Sequence, residues 1–248
     1  IINAAEYGMP QRRRRVFFIG YHKSTAIYKK IQETKMDWIQ KRGVLASAFP
    51  IHEMPSESKF ILNGDLVELT QNFGKGAKKS RFDNTGLQID GKVFTAKSKP
   101  RYEGVKAVLE EVLVDTEIPS EFYIDESDKA KWSYLKGAKN IERETAGGFV
   151  YKYSEGGMIY PDALDNASRT IITGEGGKTP SRFKHVIDTD KGLRRLVPVE
   201  LERLNMFPDN HTKLEGITDA KRAFFMGNAL VVGVIEKLSD ELFARISD

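Results

Sequence analysis

The sequence contains no cysteine. That excludes disulfides, thiolate metal sites and any cysteine nucleophile supplied by this chain. Histidine is scarce: His22, His52, His185 and His211 are the only four, and their spacing matches no metal-ligand pattern. No apolar run approaches the roughly 18 residues that cross a bilayer. No signal peptide is visible either, because the first strongly apolar stretch, VFFIG, comes after a block of arginines. The expectation is a soluble cytoplasmic protein with no metal site and no membrane contact. The 248 residues suit one large domain or two small ones. At 40% hydrophobic and 30% charged residues, the composition is globular rather than disordered.

The net charge of +4 is unevenly spread. Residues 1–50 hold ten Lys/Arg against three Asp/Glu, and residues 71–106 hold nine against three. Residues 107–128 hold eight acids and no base. Basic surfaces beside an acidic patch suit a polyanion partner, and equally a solvated mixed-charge surface.

Along the chain, VFFIGY (16–21) reads as a buried strand and residues 24–42 as a helix, capped by Ser24 or Thr25 and stopped by Gly43. From about 45 to 190 the pattern is irregular. Short β-like pieces (KFILNG, LVELT, LQIDGKVFTA, GFVYKYS, MIYP, RTIITG) are separated by turn residues, with DNTG and IDGK as turns. GVKAVLEEVL and DKAKWSYLKGA read as helical interludes. PVELERLNM begins with proline, a good first helical residue. ALVVGVIEKLSDELFARI places Leu230, Val234, Leu238 and Leu242 on one apolar stripe, flanked by Val231, Ile235 and Ile246. Both ends therefore read as α/β structure, with a β-rich excursion between them.

Four consecutive arginines follow Pro10-Gln11. They could be a solvated basic run or localisation signal. In an extended segment, however, Arg13 and Arg15 face one side and Arg12 and Arg14 the other. The stretch from Asn3 to Phe17, NAAEYGMPQRRRRVF, resembles motif VIII of the cytosine-5 DNA methyltransferases, with Gln11, Arg13 and Arg15 in its Q-x-R-x-R positions. RRLVPVELERLNMFPD (194–209) resembles motif IX of that family, matching at Arg194, Leu196, Pro198, Glu200, Arg203, Leu204, Phe207, Pro208 and Asp209. Val197, Val199 and Met206 stand where that motif usually has Thr, Arg and Gly. MGNALVVGV (226–234) resembles motif X at Gly227 and Asn228.

This resemblance implies the C-terminal part of a Rossmann-like α/β methyltransferase domain with an inserted target recognition domain. Residues 1–44 would belong to the catalytic domain, 45–190 to the recognition domain, and 191–248 to motif IX and the return to the catalytic domain. The motifs cover roughly the first 20 and last 55 residues. The family's cofactor loop, its Pro-Cys nucleophile and its Glu-Asn-Val glutamate all precede motif VIII and are absent here. The chemistry needs them: cytosine C6 is a poor electrophile, and a thiolate must add to it before C5 takes a methyl group. The chain is therefore expected to be inactive alone and to need an N-terminal half, from the same chain or a separate subunit. Opening inside a motif, at Ile1, fits a piece of something longer.

By the same resemblance, Arg15 would hydrogen-bond the target cytosine O2, Arg13 would assist it, and Gln11 would hold the loop. A guanidinium suits that task, being permanently charged with donors in a fixed fork. Gly227, Asn228 and Ala229 would close one wall of an S-adenosylmethionine pocket; Asn228 is equally suited to capping the helix that follows. Duplex DNA is the implied partner, in a bacterial restriction-modification setting close to the nucleoid, with the target base flipped out.

In the insert, Thr170-Ile171 fits a Thr-Ile/Val pair of the family. The following loop, Gly174, Glu175, Gly176 and Gly177, then Lys178, Ser181, Arg182 and Lys184, is the first candidate for DNA contacts. A hairpin with ordinary solvated charges is the alternative. Lys78, Lys79 and Arg81 are a second, phosphate-directed candidate. A non-catalytic DNA-binding module of the same descent is the main rival reading. A tRNA-acting relative is disfavoured by the length of the insert.

Overall fold

The computed structural model describes residues 1–53, 57–76 and 80–246. In chain order its elements are β1 (Ile2–Asn3), β2 (Arg14–Arg15), α1 (Ala26–Glu33), α2 (Lys35–Asp37), α3 (Val44–Ala48), β3 (Glu57–Ile61), α4 (Leu66–Asn72), β4 (Thr85–Ile89) and β5 (Lys92–Ala96). Then come α5 (Glu126–Lys136), β6 (Lys139–Glu144), β7 (Val150–Glu155), α6 (Pro198–Leu204), α7 (Asp219–Asn228) and α8 (Val232–Ile246). The described strands form three small antiparallel sheets: β1-β2, β3-β5-β4 and β6-β7.

The chain divides into two compact units. One comprises residues 1–8, 14–105 and 234–248; the other comprises 9–13 and 106–233. The expected insert is thus cut between Val105 and Lys106, not at 44/45 and 190/191. The reason lies in the second unit's core. Leu109, Val112, Ile171 and Ile187 from the expected insert are buried together with Leu201, Leu204, Ala223 and Met226 of α6 and α7. Each of these Leu, Val, Ile and Met side chains contributes about 1.5–3 kcal/mol by leaving water, so this core unites what the sequence assigned to separate domains.

In the first unit, Thr25 caps α1 as expected, its Oγ1 accepting from Tyr28 N at 3.3 Å. The long helix expected over 24–42 breaks at Thr34, whose φ is −123°. It resumes as α2 and a π-helical turn over Trp38–Arg42. The turn expected at IDGK joins β4 to β5 with Asp90 and Gly91 both at positive φ, 49° and 76°, as a tight hairpin requires. LVELT, read as a β piece, is helix α4. Asp65 Oδ1 accepts from Val67 N at 2.8 Å and Glu68 N at 2.9 Å, and Glu68 Oε2 accepts from Asp65 N. That reciprocal cap nucleates a helix where side-chain alternation alone suggested a strand.

VFFIGY is not a buried strand. Pairing stops at Arg15, because β1 offers only two residues, and Phe18 is 91% exposed. The stripe on α8 is only partly packed: Val234 and Leu238 are buried, whereas Ile235 and Ile246 are exposed. Near its end, Arg245 Nη2 donates to Ser47 Oγ at 2.7 Å.

In the second unit, α5 and α6 form where expected, with Pro198 opening α6. GVKAVLEEVL yields only a short 3-10 turn at Glu110–Val112. Its backbone is used elsewhere, Leu109 N bonding to Asn166 O and Glu110 N to Leu164 O. MIYP and RTIITG form no strand. Helix α7, capped by Thr218, and strand β6 were not read from the sequence.

Candidate functional site

Residues 10–13 run parallel to residues 168–171. Ser168 N donates to Pro10 O and Arg12 N to Ser168 O, both at 2.8 Å, and Thr170 Oγ1 donates to Arg12 O at 2.6 Å. Alternation then sends Gln11 and Arg13 inward, at 0% and 2% exposure, while Arg12 faces solvent. Gln11 Oε1 accepts from Ile171 N at 3.1 Å and from Arg13 Nη1 at 3.2 Å. Gln11 Nε2 donates to Leu204 O and to Asn205 Oδ1. Arg13 donates through Nη1 to Ile171 O at 3.2 Å and through Nη2 to Gly227 O at 2.8 Å. The stretches resembling motifs VIII, IX and X and the Thr170-Ile171 pair therefore meet around the buried pair Gln11 and Arg13.

Arg15 is placed differently. It lies on β2, exposed, with Nη1 donating to Arg14 O at 2.8 Å. The expectation that Arg13 and Arg15 share one face is corrected. The inward alternation ends at Arg13, because residues 14–15 pair with β1 instead of continuing beside 168–171.

The residues resembling motif IX build the scaffold. Arg194 grips Glu200 through both carboxylate oxygens, at 2.8 and 2.6 Å, and both side chains are buried. Glu200 Oε2 also accepts from Val197 N at 2.9 Å at the start of α6. Arg203 pairs with Asp209 at 2.7 Å and donates to Leu113 O. Met206, where the motif usually has glycine, sits at φ 61°, a left-handed conformation that glycine adopts without cost. Asn205, fully buried, was not singled out by the sequence reading. It joins Gln11 to α7 by donating to Met226 O at 2.9 Å.

Gly227 packs α7 against the chain at 172–173. A β-carbon there would lie 2.5 Å from Thr173 Cα and N. Asn228 is exposed and ends α7, its Nδ2 donating to Phe224 O at 3.1 Å. It does not cap the following helix, since Ala229 to Val231 intervene before α8. Ala229 is half-buried against the core.

The loop at 174–185 is turned inward more than its charges suggested. Glu175 is buried, accepting from the backbone N and ring Nδ1 of His185. Burial pushes its carboxyl up, but the facing His185 and these bonds hold it below its ordinary value. Lys184 is buried too, with Nζ donating to Gly177 O and Thr179 O at 2.6 and 2.7 Å. Arg182 clamps the root of the β6-β7 hairpin. It donates to Leu135 O and Gly137 O at 3.0 Å, bonds Gly156 O, and pairs with Glu155. Glu175, Arg182 and Lys184, singled out for DNA contact, thus spend these polar atoms on bonds within the protein. Ile171, 1% exposed, is a core residue. Gly176 is needed for packing on α7, where an added β-carbon would come within 2.7 Å of Ala220 Cα. Gly174 and Lys178 stay exposed, while Thr170, Gly177 and Ser181 are half-buried. Arg81 is exposed with its guanidinium 4.5 Å from the Phe60 ring centre. Lys78 and Lys79 lie outside the described residues.

A buried ionic group supports this loop from below. Asp162 accepts from Arg169 Nε and Nη2 at 2.6 and 3.0 Å and from Val186 N at 2.8 Å. Burial raises its carboxyl, and the Arg169 fork with His185 brings it below the usual carboxylate range.

A family model for C-5 cytosine-specific DNA methylases matches residues 1–244, and the chain belongs to that family. Among characterised relatives, the type II methyltransferase M.Sau3AI of Staphylococcus aureus is 36% identical over 246 residues, which is 98% of this chain. The match spans 57% of that relative's length. Two solved methyltransferases each align over 91% of this chain. These are the Entamoeba histolytica EhMeth (14% identity, TM-score 0.40, 60% of that chain) and the S. pombe Dnmt2 (12%, 0.42, 64%). No helix among the described residues is long and apolar enough to cross a membrane.

Proposed function

We propose that this chain is the DNA-recognition and cytosine-positioning part of a DNA (cytosine-5-)-methyltransferase in a bacterial restriction-modification system. The observation that carries this reading is the convergence of Gln11, Arg13, Ile171, Asn205 and Gly227 in one hydrogen-bonded hub. In this reading Arg13 and Gln11 fix the strand from within. Arg15, exposed on β2, presents its guanidinium to O2 of a flipped cytosine and stabilises the charge that builds there during attack at C6. In the second unit Gly174, Lys178 and Ser181 are the DNA-facing part of the glycine-rich loop; in the first, Arg81 serves phosphates.

Asn228, Gly227 and Ala229 suit one wall of a cofactor site. Asn228 is a polar side chain exposed at the end of α7, and Gly227 keeps that helix end close to residues 172–173. When bound, S-adenosylmethionine supplies the electrophilic methyl group. The thiolate that adds to C6 comes from outside this sequence, which has no cysteine. The exposed Val16 and Phe18 support a covering segment, which we assign to the cofactor-binding N-terminal half of the enzyme.

The test is methyl transfer from labelled S-adenosylmethionine to duplex DNA, by this chain alone and with a cysteine-bearing N-terminal half. Turnover only in the mixture supports the proposal. Specific DNA binding without turnover in either would make the chain a binding module. Turnover by the chain alone would overturn the argument from cysteine.

A further inference from the structure

Three buried side chains form a line beneath the recognition loop. His185, with no exposed surface, has Nδ1 2.9 Å from Glu175 Oε1 and Nε2 2.9 Å from Ser168 Oγ. Ser168 and Glu175 are each 3% exposed. The order Ser-His-Glu has the form of a hydrolytic triad, but a nucleophile must reach a substrate, and this serine cannot. Its hydroxyl also lies 2.9 Å from Arg169 O, a further bond made inside the protein.

The ends of the line give it another use. Glu175 belongs to the glycine-rich loop, where its Oε2 also meets Ile172 N. Ser168, at the other end, holds the strand of the buried arginine by two backbone bonds, to Pro10 O and from Arg12 N, each 2.8 Å. We propose that Glu175, His185 and Ser168 are positioning residues that tie the recognition loop to the strand bearing Gln11 and Arg13. The seating of that loop then sets the register of the strand. The inference rests on the proposed function for the meaning of that strand, but not for the linkage itself.

Backbone amide exchange in the intact chain tests the linkage without turnover. Ser168→Ala removes the bond to His185 while leaving the backbone in place. The amides of Arg12 and Ile171 are expected to exchange about tenfold faster, while those of Leu204 and Met226 in the same core stay within about twofold. Ser168→Thr, which keeps the hydroxyl, should restore the slow exchange. If Ser168→Ala does not fold, His185→Asn, too short to bridge both oxygens, should give the same local pattern. Equal acceleration of all four amides would reduce the line to packing and overturn the proposal, as would no change at Arg12 and Ile171. In the assembled enzyme, Ser168→Ala should lower kcat about tenfold with KM for DNA unchanged, equivalent to about 1.4 kcal/mol. The local exchange pattern with unchanged kcat would support the linkage and show that the register of the strand bearing Gln11 and Arg13 does not set turnover.

Discussion

Arg13 Nη2 donates to the carbonyl oxygen of Gly227 at 2.8 Å, joining two residues 214 positions apart in the chain. The same guanidinium donates to Ile171 O. Replacing Arg13 by Ala leaves both carbonyls without it in a buried site, at an expected cost of roughly 3 kcal/mol of stability. Arg15→Ala, at an exposed position, should change stability by less than about 0.5 kcal/mol yet abolish methyl transfer in the assembled enzyme. Urea unfolding beside a transfer assay separates the two roles. Equal effects of both substitutions on stability would contradict the placement of Arg13.

Gly227 tests the close approach directly. The β-carbon of Gly227→Ala would meet Thr173 backbone atoms at 2.5 Å. Overpacking of that kind costs about 1–3 kcal/mol, and the shift of α7 should also displace Arg13's acceptor. A denaturant midpoint equal to that of the parent chain would show that α7 has room there.

Val197 stands at the cap of α6 with an extended backbone, φ −84° and ψ 160°, but its side chain can accept nothing. Val197→Thr keeps the shape and adds an acceptor for the first turn. It is expected to raise stability by about 1 kcal/mol, read as a higher Tm. A lower Tm would mean that the buried hydroxyl costs more than the cap returns.

Lys136 is a buried amine bonded to Lys184 O, between the rings of Trp132 and Tyr160. Burial, then the nearby Arg169, lowers it from 10.5 to about 8. Below pH 8 both folded and unfolded chains carry the proton, and the folded chain bears the cost of the buried charge. From pH 8 to 10.5 the folded chain has released the proton and the unfolded chain has not, so stability rises, by on the order of 2 kcal/mol. Lys136→Met should raise stability at pH 7 and flatten that rise. Lys184 O keeps a donor in Arg169 Nη2, at 3.1 Å. An unchanged slope in urea titrations between pH 8 and 10 would refute the assignment.

Two cations of the glycine-rich loop should behave differently. Lys178 is largely exposed, with only a 3.5 Å contact to Glu121. Lys178→Ala should weaken duplex binding and reduce the slope of log K against log salt by about 1. Arg182→Ala should leave that slope unchanged and speed amide exchange in β6 and β7, whose root it clamps. Equal salt slopes for the two variants would show that Arg182 reaches phosphate.

The sequence by itself determined the local features and the family. The Thr25-capped helix α1, the proline-led helix α6, the Asp90-Gly91 hairpin and helix α5 follow from nearest-neighbour chemistry, which operates within a few residues. Even the missed helix α4 had its signal in Asp65 and Glu68, four positions across a capping box. The resemblance of residues 3–17, 194–209 and 226–234 to one family was equally legible, and the match over residues 1–244 bears out that membership.

Tertiary structure alone decided which charges face inward. Glu175, Arg182 and Lys184 read as a solvated, DNA-facing loop, because charge in a glycine-rich stretch carries no mark of burial. Their partners, His185 and the backbone oxygens at Leu135, Gly137, Gly177 and Thr179, become neighbours only when the loop folds back. Asn205 left no sequence signal, since its partners Gln11 and Met226 lie 194 and 21 residues away. The fate of VFFIGY was also decided there: an apolar, β-branched run becomes a strand only when another strand satisfies its backbone, and among the described residues none pairs with it.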